Sequence, residues 1–400
     1  MKRYLAALLA LVLMLTGLTV IASADGSEHI NWDEKGAYLC SADGTRITFT
    51  GWRKVTETWE YDDGYVDTWH YWVYGEGDYL AQGWKQIGGT WYYFWPEMVT
   101  GNYYDYEAKT AYLFTKDGAY TGVSATKPGW FQNGGNWYYV EEYEWTWYDE
   151  NNQPHTEKEL YFYTTGNYEI DKKIYWFENG KCATQKGWVN YKWTNESTGK
   201  TYSNWYYVKA DGSLAADEWQ KIDGKWYYFY YWGDLAMNTR VWDYNETTQQ
   251  NTIYAVDRNG ELITNNWFHA TYTYESGYVE DYGWYYLGAD GAAKTGWFQV
   301  GGKWYYADEW AWLYIDLPVY DDQGNEYWLG KDGAMLLGWQ QVYGTDWSYF
   351  KDSGAMAKNE WVQYGGKWYY FDADGLMVHD CTLNINGTDY KFDASGACVV

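Results

Sequence analysis

The chain has 400 residues, 23% of them Phe, Trp or Tyr, and a formal net charge of −26. A surface of that sign repels phosphate backbones, so nucleic acid is excluded as a partner and a cation is welcome. With 31 Trp, 49 Tyr, 43 Gly and only four Pro, a disordered tail is excluded too, and the scarcity of Leu, Ile and Val predicts an aromatic core.

In chain order, residues 1–24 come first: Lys2 and Arg3, an apolar run from Leu5 to Val20, then Ala22-Ser23-Ala24. This predicts a secretory signal peptide cut before Asp25. A membrane anchor is the poorer reading, because the apolar run is short and ends in the cleavage pattern. No later segment could span a bilayer, so no membrane insertion is expected after cleavage, and attachment to a surface would be noncovalent. Cys40, Cys182, Cys381 and Cys398 lie in an exported chain, where disulfides are allowed. Cys381 and Cys398 bracket the last hairpin, which lacks Trp and turns at Asn386-Gly387, and they form a candidate disulfide.

Residues 25–400 read as one array of aromatic β-hairpins, degenerate with longer hairpins over 37–284 and most regular over 285–396. Links of the form x-Asp/Asn/Ser-Gly separate the hairpins and recur every 21 residues from Gly333 to Gly396. The clearest unit runs from Trp361 to Met377. Its Gly365-Gly366 pair supplies the positive φ angles of a two-residue turn. With those glycines as the loop, Trp361 opposes Tyr370 and Gln363 opposes Trp368. Side chains alternate, so Trp361, Trp368 and Tyr370 share one face while Val362, Tyr364, Tyr369 and Phe371 share the other, which reads as core.

The same arithmetic gives clusters Trp84/Trp91/Tyr93, Trp130/Trp137/Tyr139, Trp219/Trp226/Tyr228 and Trp297/Trp304/Tyr306. Trp339/Trp347/Tyr349 carries one extra loop residue. Trp188/Trp205/Tyr207 and Trp267/Trp284/Tyr286 are ten residues longer, and Trp52/Trp69/Tyr71 has the same long spacing with a turn near Tyr61-Asp62. Residues 103–114, 145–163, 242–256 and 312–329 read as hairpins without the paired tryptophans. One hairpin cannot bury its own face, so the expected fold is all-β, an elongated solenoid of stacked hairpin repeats.

Three rings on one face form a shallow box that attracts a quaternary ammonium with about 0.5–2 kcal/mol per contact. The same rings can stack on a sugar, or be plain core. Catalytic signals are absent: the five histidines are scattered, and there is no HExxH, GxSxG or phosphate loop. Asp372-Ala373-Asp374-Gly375 lacks the downstream acidic ligand of a calcium loop and reads as a turn. The expectation is no enzyme, no metal and no cofactor.

The pattern G-W-x4-G-x-W-Y-Y-F-x-x-x-G-x-M resembles the cell-wall-binding repeat of Gram-positive surface proteins, of choline-binding and glucan-binding type. It is carried by Gly83-Trp84 to Phe94, Gly129-Trp130 to Val140, Trp219 to Phe229, Gly296-Trp297 to Tyr306, Gly338-Trp339 to Phe350, and Trp361 to Met377. The resemblance implies choline held between successive hairpins by two Trp and a Tyr: here Trp219/Trp226, Trp297/Trp304, Trp339/Trp347 and Trp361/Trp368, each with a Tyr from its own or the next repeat. The expected function is a secreted, noncatalytic surface protein. It would hold choline-decorated teichoic acid, or a glucan-type polysaccharide, through several weak sites that gain strength on a polymer. The alternative is an adhesin whose irregular loops at 150–158, 195–200 and 245–251 contact a host or partner protein.

Overall fold

A computed structural model of the chain describes residues 28–60, 66–149, 151–195, 198–245, 250–274 and 276–399. The leader at 1–24 and the turn expected near Tyr61-Asp62 lie outside these residues, as do parts of the three irregular loops. The described residues are all-β, a succession of antiparallel hairpins without a helix, and so without one long and apolar enough to cross a membrane. Two compact units divide the chain, residues 1–189 with 207–214 and residues 190–206 with 215–400.

Turn chemistry sets the hairpins. Gly365 and Gly366 have φ of 59° and 78°, and Asp223 and Gly224 have 49° and 85°. Two successive positive φ angles match the right-handed twist of the flanking strands, and Gly, Asn and Asp tolerate them best. The expected registers follow. Trp361 opposes Tyr370 and Gln363 opposes Trp368. Trp84 opposes Tyr93, Trp130 Tyr139, Trp219 Tyr228 and Trp297 Tyr306. The extra loop residue in the Trp339 hairpin is absorbed as a register shift between Gln340 and Tyr343. Trp267 opposes Tyr286, with a bulge between His269 and Thr271.

The first long hairpin departs from expectation. Trp52 opposes Tyr74, not Tyr71, and lies on one face with Trp72, not Trp69. Strands Phe49–Glu60 and Val66–Gly77 close with Glu60 opposite Val66, a wider loop that moves the partner three residues along. Val55 opposes Tyr71 and Glu57 opposes Trp69, so both expected partners point to the other face. Two units without paired tryptophans are also rearranged. Strand Asn136–Tyr148 pairs with Gly129–Asn133 on one side and Pro154–Phe162 on the other. The 312–329 hairpin shortens to Leu317–Tyr320 and Glu326–Leu329, leaving Trp312 in a link.

Each link is stitched to two hairpins. Residue Met377 bridges Phe371 of its own hairpin, and its N–H donates to the Trp347 carbonyl of the preceding hairpin at 2.7 Å. Met335 donates likewise to Trp304, Met356 to Glu326 and Cys398 to Trp368. In the first unit Met98 donates to Trp72 and Leu214 to Ile174. The link itself is a turn held by its first carboxylate: Asp372 Oδ1 accepts from the amides of Asp374 and Leu376, which occupies it as a turn rather than as a calcium ligand. The link glycine is required twice. Gly375 has φ of 80°, and a Cβ there would run into Met356. Gly354 stands likewise against Met335 and Gly396 against Met377.

Burial concentrates where strand meets link. Phe94, Phe229, Phe350, Phe371 and Phe392, each ending a second strand, are fully buried. Phenylalanines at these strand ends are thus a recurring part of the aromatic core, while the second tryptophans of the pairs stay exposed. Elsewhere the core is aliphatic, as in the cluster of Leu39, Val55, Val73 and Leu80, or mixed, as where Leu113, Val123, Val140 and Leu160 pack with Tyr138 and Phe162.

The expected disulfide is not formed, and Cys381 and Cys398 are free thiols. Cys381 opposes Phe392 in the last hairpin, and Cys398 bridges Phe392 from the link on its other side. Two strand spacings of about 4.8 Å put the pair beyond disulfide reach.

Candidate functional site

The hairpin register places a first Trp directly across from a Tyr, with a second Trp diagonal to it on the same face. Trp361 and Tyr370 have ring centroids 5.2 Å apart; for Trp297 and Tyr306 the distance is also 5.2 Å, for Trp219 and Tyr228 5.3 Å and for Trp188 and Tyr207 5.3 Å. The stitch then lays the next hairpin against this face. Tyr390 of the last hairpin lies 4.8 Å from Trp361, and Phe392 stacks on it at 5.7 Å. Trp339 meets Tyr369 at 4.8 Å, Trp297 meets Tyr327 at 5.3 Å, Trp267 meets Tyr305 at 5.0 Å and Trp219 meets Tyr254 at 5.3 Å. In the first unit Trp52, Trp84 and Trp130 meet Tyr92, Tyr112 and Tyr175 in the same way.

The core face of a hairpin is thus also a wall of the preceding cluster. In the hairpins just named, within each unit, the Tyr/Phe face covers the Trp face of the one before it. The first Tyr of W-Y-Y-F is the next-repeat Tyr that the resemblance allowed for without naming: it points away from its own cluster, and so toward the preceding one. It also explains the units without paired tryptophans. The last hairpin has Thr382 and Asp389 in the tryptophan positions, yet its Tyr390 and Phe392 close the box around Trp361.

The second tryptophans are open. Trp72, Trp91, Trp137, Trp205, Trp226, Trp284, Trp304, Trp347 and Trp368 all keep between 38% and 48% of their surface exposed. Trp339 and Trp347 cross at 80° with centroids 6.4 Å apart, Trp130 and Trp137 at 81° and 6.4 Å, and Trp52 and Trp72 at 85° and 6.4 Å. A 6.4 Å corner is a right-angled seat with ring faces turned into it. Around Trp339 the seat has further walls, Tyr349 at 5.4 Å and Tyr364 at 6.0 Å. Burial, aided by the hydrogen bond to Asp217, pushes the Tyr228 hydroxyl up to about 12, which keeps that ring neutral. Such a seat offers quadrupole attraction to a cation without a charged partner to titrate. Among the described residues no group of three or more His, Cys, Asp or Glu is gathered as a metal would need.

Two hairpins replace the seat with the chain's own charge. Glu326 stands in a second-tryptophan position, opposite Tyr320, and is buried. It accepts from Trp328 Nε1 at 2.6 Å, Tyr343 at 2.5 Å and Lys358 Nζ at 2.6 Å. Burial pushes its carboxyl up, but these three donors together hold it below its ordinary value. Arg240 stands in a first-tryptophan position, opposite Ala255.

Two family models match parts of the chain. A family model described as choline-binding repeat matches residues 360–400. One described as putative cell wall binding repeat matches residues 82–94, 129–142, 200–214, 217–235, 295–310 and 338–356. Among solved structures, choline binding protein F from Streptococcus pneumoniae is 24% identical, over 86% of this chain and 99% of that one, with a TM-score of 0.39. The choline-binding domain of CbpL from Streptococcus pneumoniae is 29% identical, over 54% of this chain and 98% of that one, with a TM-score of 0.35. The modular autolysin LytC from Streptococcus pneumoniae is 23% identical, over 74% of this chain and 52% of that one, with a TM-score of 0.31. None of the curated proteins matches. The fold and its clusters define an array of aromatic hairpin repeats, and the matched segments are similar to choline-binding, cell-wall-binding repeats.

Proposed function

We propose that the mature chain is a secreted, noncatalytic protein that attaches to choline-bearing teichoic acid of a cell wall through its tryptophan corners. The observation that carries this is the corner itself: two Trp at 6.4 Å and 80°, with Trp347 42% exposed and a third and fourth ring behind. A quaternary ammonium has no hydrogen bonds to satisfy, so ring faces are sufficient contacts, and the net charge of −26 adds a favourable potential. The ligand-binding residues in this reading are the first and second Trp and the Tyr of Trp84/Trp91/Tyr93, Trp130/Trp137/Tyr139, Trp219/Trp226/Tyr228, Trp297/Trp304/Tyr306, Trp339/Trp347/Tyr349 and Trp361/Trp368/Tyr370. Trp52/Trp72/Tyr74 joins them. Single sites of millimolar strength suffice on a polymer, where effective concentration raises the avidity.

The test is retention of the chain on a quaternary-amine resin and elution by choline against NaCl of equal ionic strength. Elution by choline where NaCl fails supports the reading, and Trp347→Ala with Trp368→Ala should weaken retention under that salt. If both salts elute alike, the corners do not hold choline, and a glucan-type polysaccharide becomes the ligand to try on the same rings.

A further inference from the structure

Strand Asn136–Tyr148 outgrows its first partner. Gly129–Asn133 pairs with it only as far as Val140, and residues 141–148 continue as a two-stranded ribbon with Pro154–Phe162. Cross-strand pairing sorts the ribbon into two unlike faces. On one, Lys158 lies 2.6 Å from Glu142 and 3.5 Å from Glu144, and the Thr146 and Thr156 hydroxyls meet at 3.3 Å. That face has the ribbon's one lysine among its carboxylates.

The other face is a checkerboard of rings and carboxylates. Glu141 opposes Tyr161, Tyr143 opposes Glu159, Trp145 opposes Glu157 and Trp147 opposes His155. The three glutamates make no ion pair among the described residues. Their donors are all neutral: Glu141 accepts from the Tyr161 and Tyr163 hydroxyls, Glu157 from Trp147 Nε1 at 3.3 Å and Glu159 from the Tyr106 hydroxyl at 2.7 Å. A carboxylate has about four lone-pair sites, so each keeps its charge and room for further donors. The tip is closed by the chain itself, since His155 stacks on Trp147 at 4.4 Å and bonds Asp149 at 3.1 Å. Short of the tip, Tyr143 is 46% exposed and Trp145 is half-buried. None of these residues belongs to a tryptophan corner.

A ring beside an uncompensated carboxylate suits a flat cation that also donates hydrogen bonds. A guanidinium stacks on the ring and takes the carboxylate in two-pronged contact, whereas a quaternary ammonium has no N–H to give. The rows recur at every second residue, about 7 Å apart, and an extended peptide presents every second side chain to one side with the same rise. We propose that this face of the ribbon docks an extended basic segment of a partner protein, with arginines at alternate positions seated on Tyr143/Glu159 and Trp145/Glu157. This is a protein-docking surface separate from the attachment proposed above.

The experiment is calorimetric titration of the full mature chain at physiological ionic strength, with choline in saturating amount. Three peptides are compared: alternating arginine and serine, the same residues in block order, and alternating lysine and serine. Variants are E157Q with E159Q together, Y143A, and K158Q as a control on the opposite face. Glutamine keeps the acceptors for Trp147 and Tyr106 and removes only the charge. The alternating arginine peptide should bind roughly tenfold tighter than the block peptide, with the lysine peptide weaker than the arginine one. E157Q with E159Q should bring the two arginine peptides level, Y143A should narrow the difference, and K158Q should leave it. Equal binding of both arginine peptides to the unaltered chain would reduce the effect to general attraction by an acidic protein and overturn the proposal. A preference for alternation that survives E157Q with E159Q, or one that appears only when choline is left out, would overturn it too. Failure of choline to elute the chain from the resin would sink the attachment reading alone.

Discussion

Trp339 and Trp347 differ in what surrounds them, and so in what their loss costs. Trp339 touches Tyr349, Tyr369 and Phe371. Trp339→Ala should destabilise the protein by about 2–4 kcal/mol in denaturant unfolding, near the range for a large core aromatic. Trp347→Ala should cost under about 1 kcal/mol of stability yet weaken choline binding roughly 2- to 30-fold by calorimetry, the worth of one ring face. Equal loss of stability in both variants would contradict the asymmetry. Glu326 yields a pH prediction. Its carboxyl is held below its ordinary 4.5, so it contributes stability above that value and loses the contribution as pH falls through the lowered one. Glu326→Gln should cost about 2 kcal/mol at neutral pH, at the low side of a broken buried pair because Lys358 is 32% exposed. The gap from the unaltered protein should close below about pH 4.5.

At the scale of the element, hairpin turn and link use glycine under different constraints. Gly365 has φ of 59° with open space around it, whereas Gly354 has φ of 87° and Met335 against it. Gly365→Ala should cost about 1–2 kcal/mol, the strain of a left-handed residue alone. Gly354→Ala should cost more, and a thermal melt that ranks them the other way would refute the packing account. The turns were legible because Gly-Gly and Asp-Gly fix the loop, after which register is arithmetic; Trp361 opposite Tyr370 needed nothing more. The first long hairpin was not, because Trp69-His70-Tyr71 and Trp72-Val73-Tyr74 both offer the spacing and no glycine pair chooses between them. Cys381 and Cys398 misled for a tertiary reason. Their bracket around the last hairpin suggests a staple, but the link returns along the far side of Phe392. A Tyr from the next repeat was allowed for by the resemblance, but which one closes each cluster was not legible, because its face reads as core until stacking is known.

For the whole molecule, each box is finished by the following hairpin, so sites and stability depend on neighbours rather than on distant parts. Tyr390→Ala, in a hairpin with no tryptophan of its own, should lower binding at the Trp361 corner while leaving the Trp339 corner intact. Comparing its stoichiometry with that of Trp368→Ala tests this; two sites lost on removing Tyr390 would argue for a more global coupling. Erosion of a repeat therefore need not break the array. A unit that loses both tryptophans can still close its predecessor and pass on the stitch, as the Leu317–Leu329 hairpin does, with Tyr327 against Trp297 and the Glu326 carbonyl accepting from Met356.

The ladder of link glycines on sulfur exposes the array to oxidants. Met335, Met356 and Met377 each press on a glycine with no space for an added atom. A sulfoxide oxygen there has to push the link away from its glycine and would carry a polar group into the packed edge. The equivalent positions earlier in the second unit are Leu235, Leu262 and Leu313, which peroxide leaves untouched. Mild peroxide should thus loosen these three links, and in the first unit the link where Met98 stands against Gly118, lowering the melting temperature, and Met356→Leu should protect in part. A surface protein built this way carries a built-in record of the oxidative history of its surroundings.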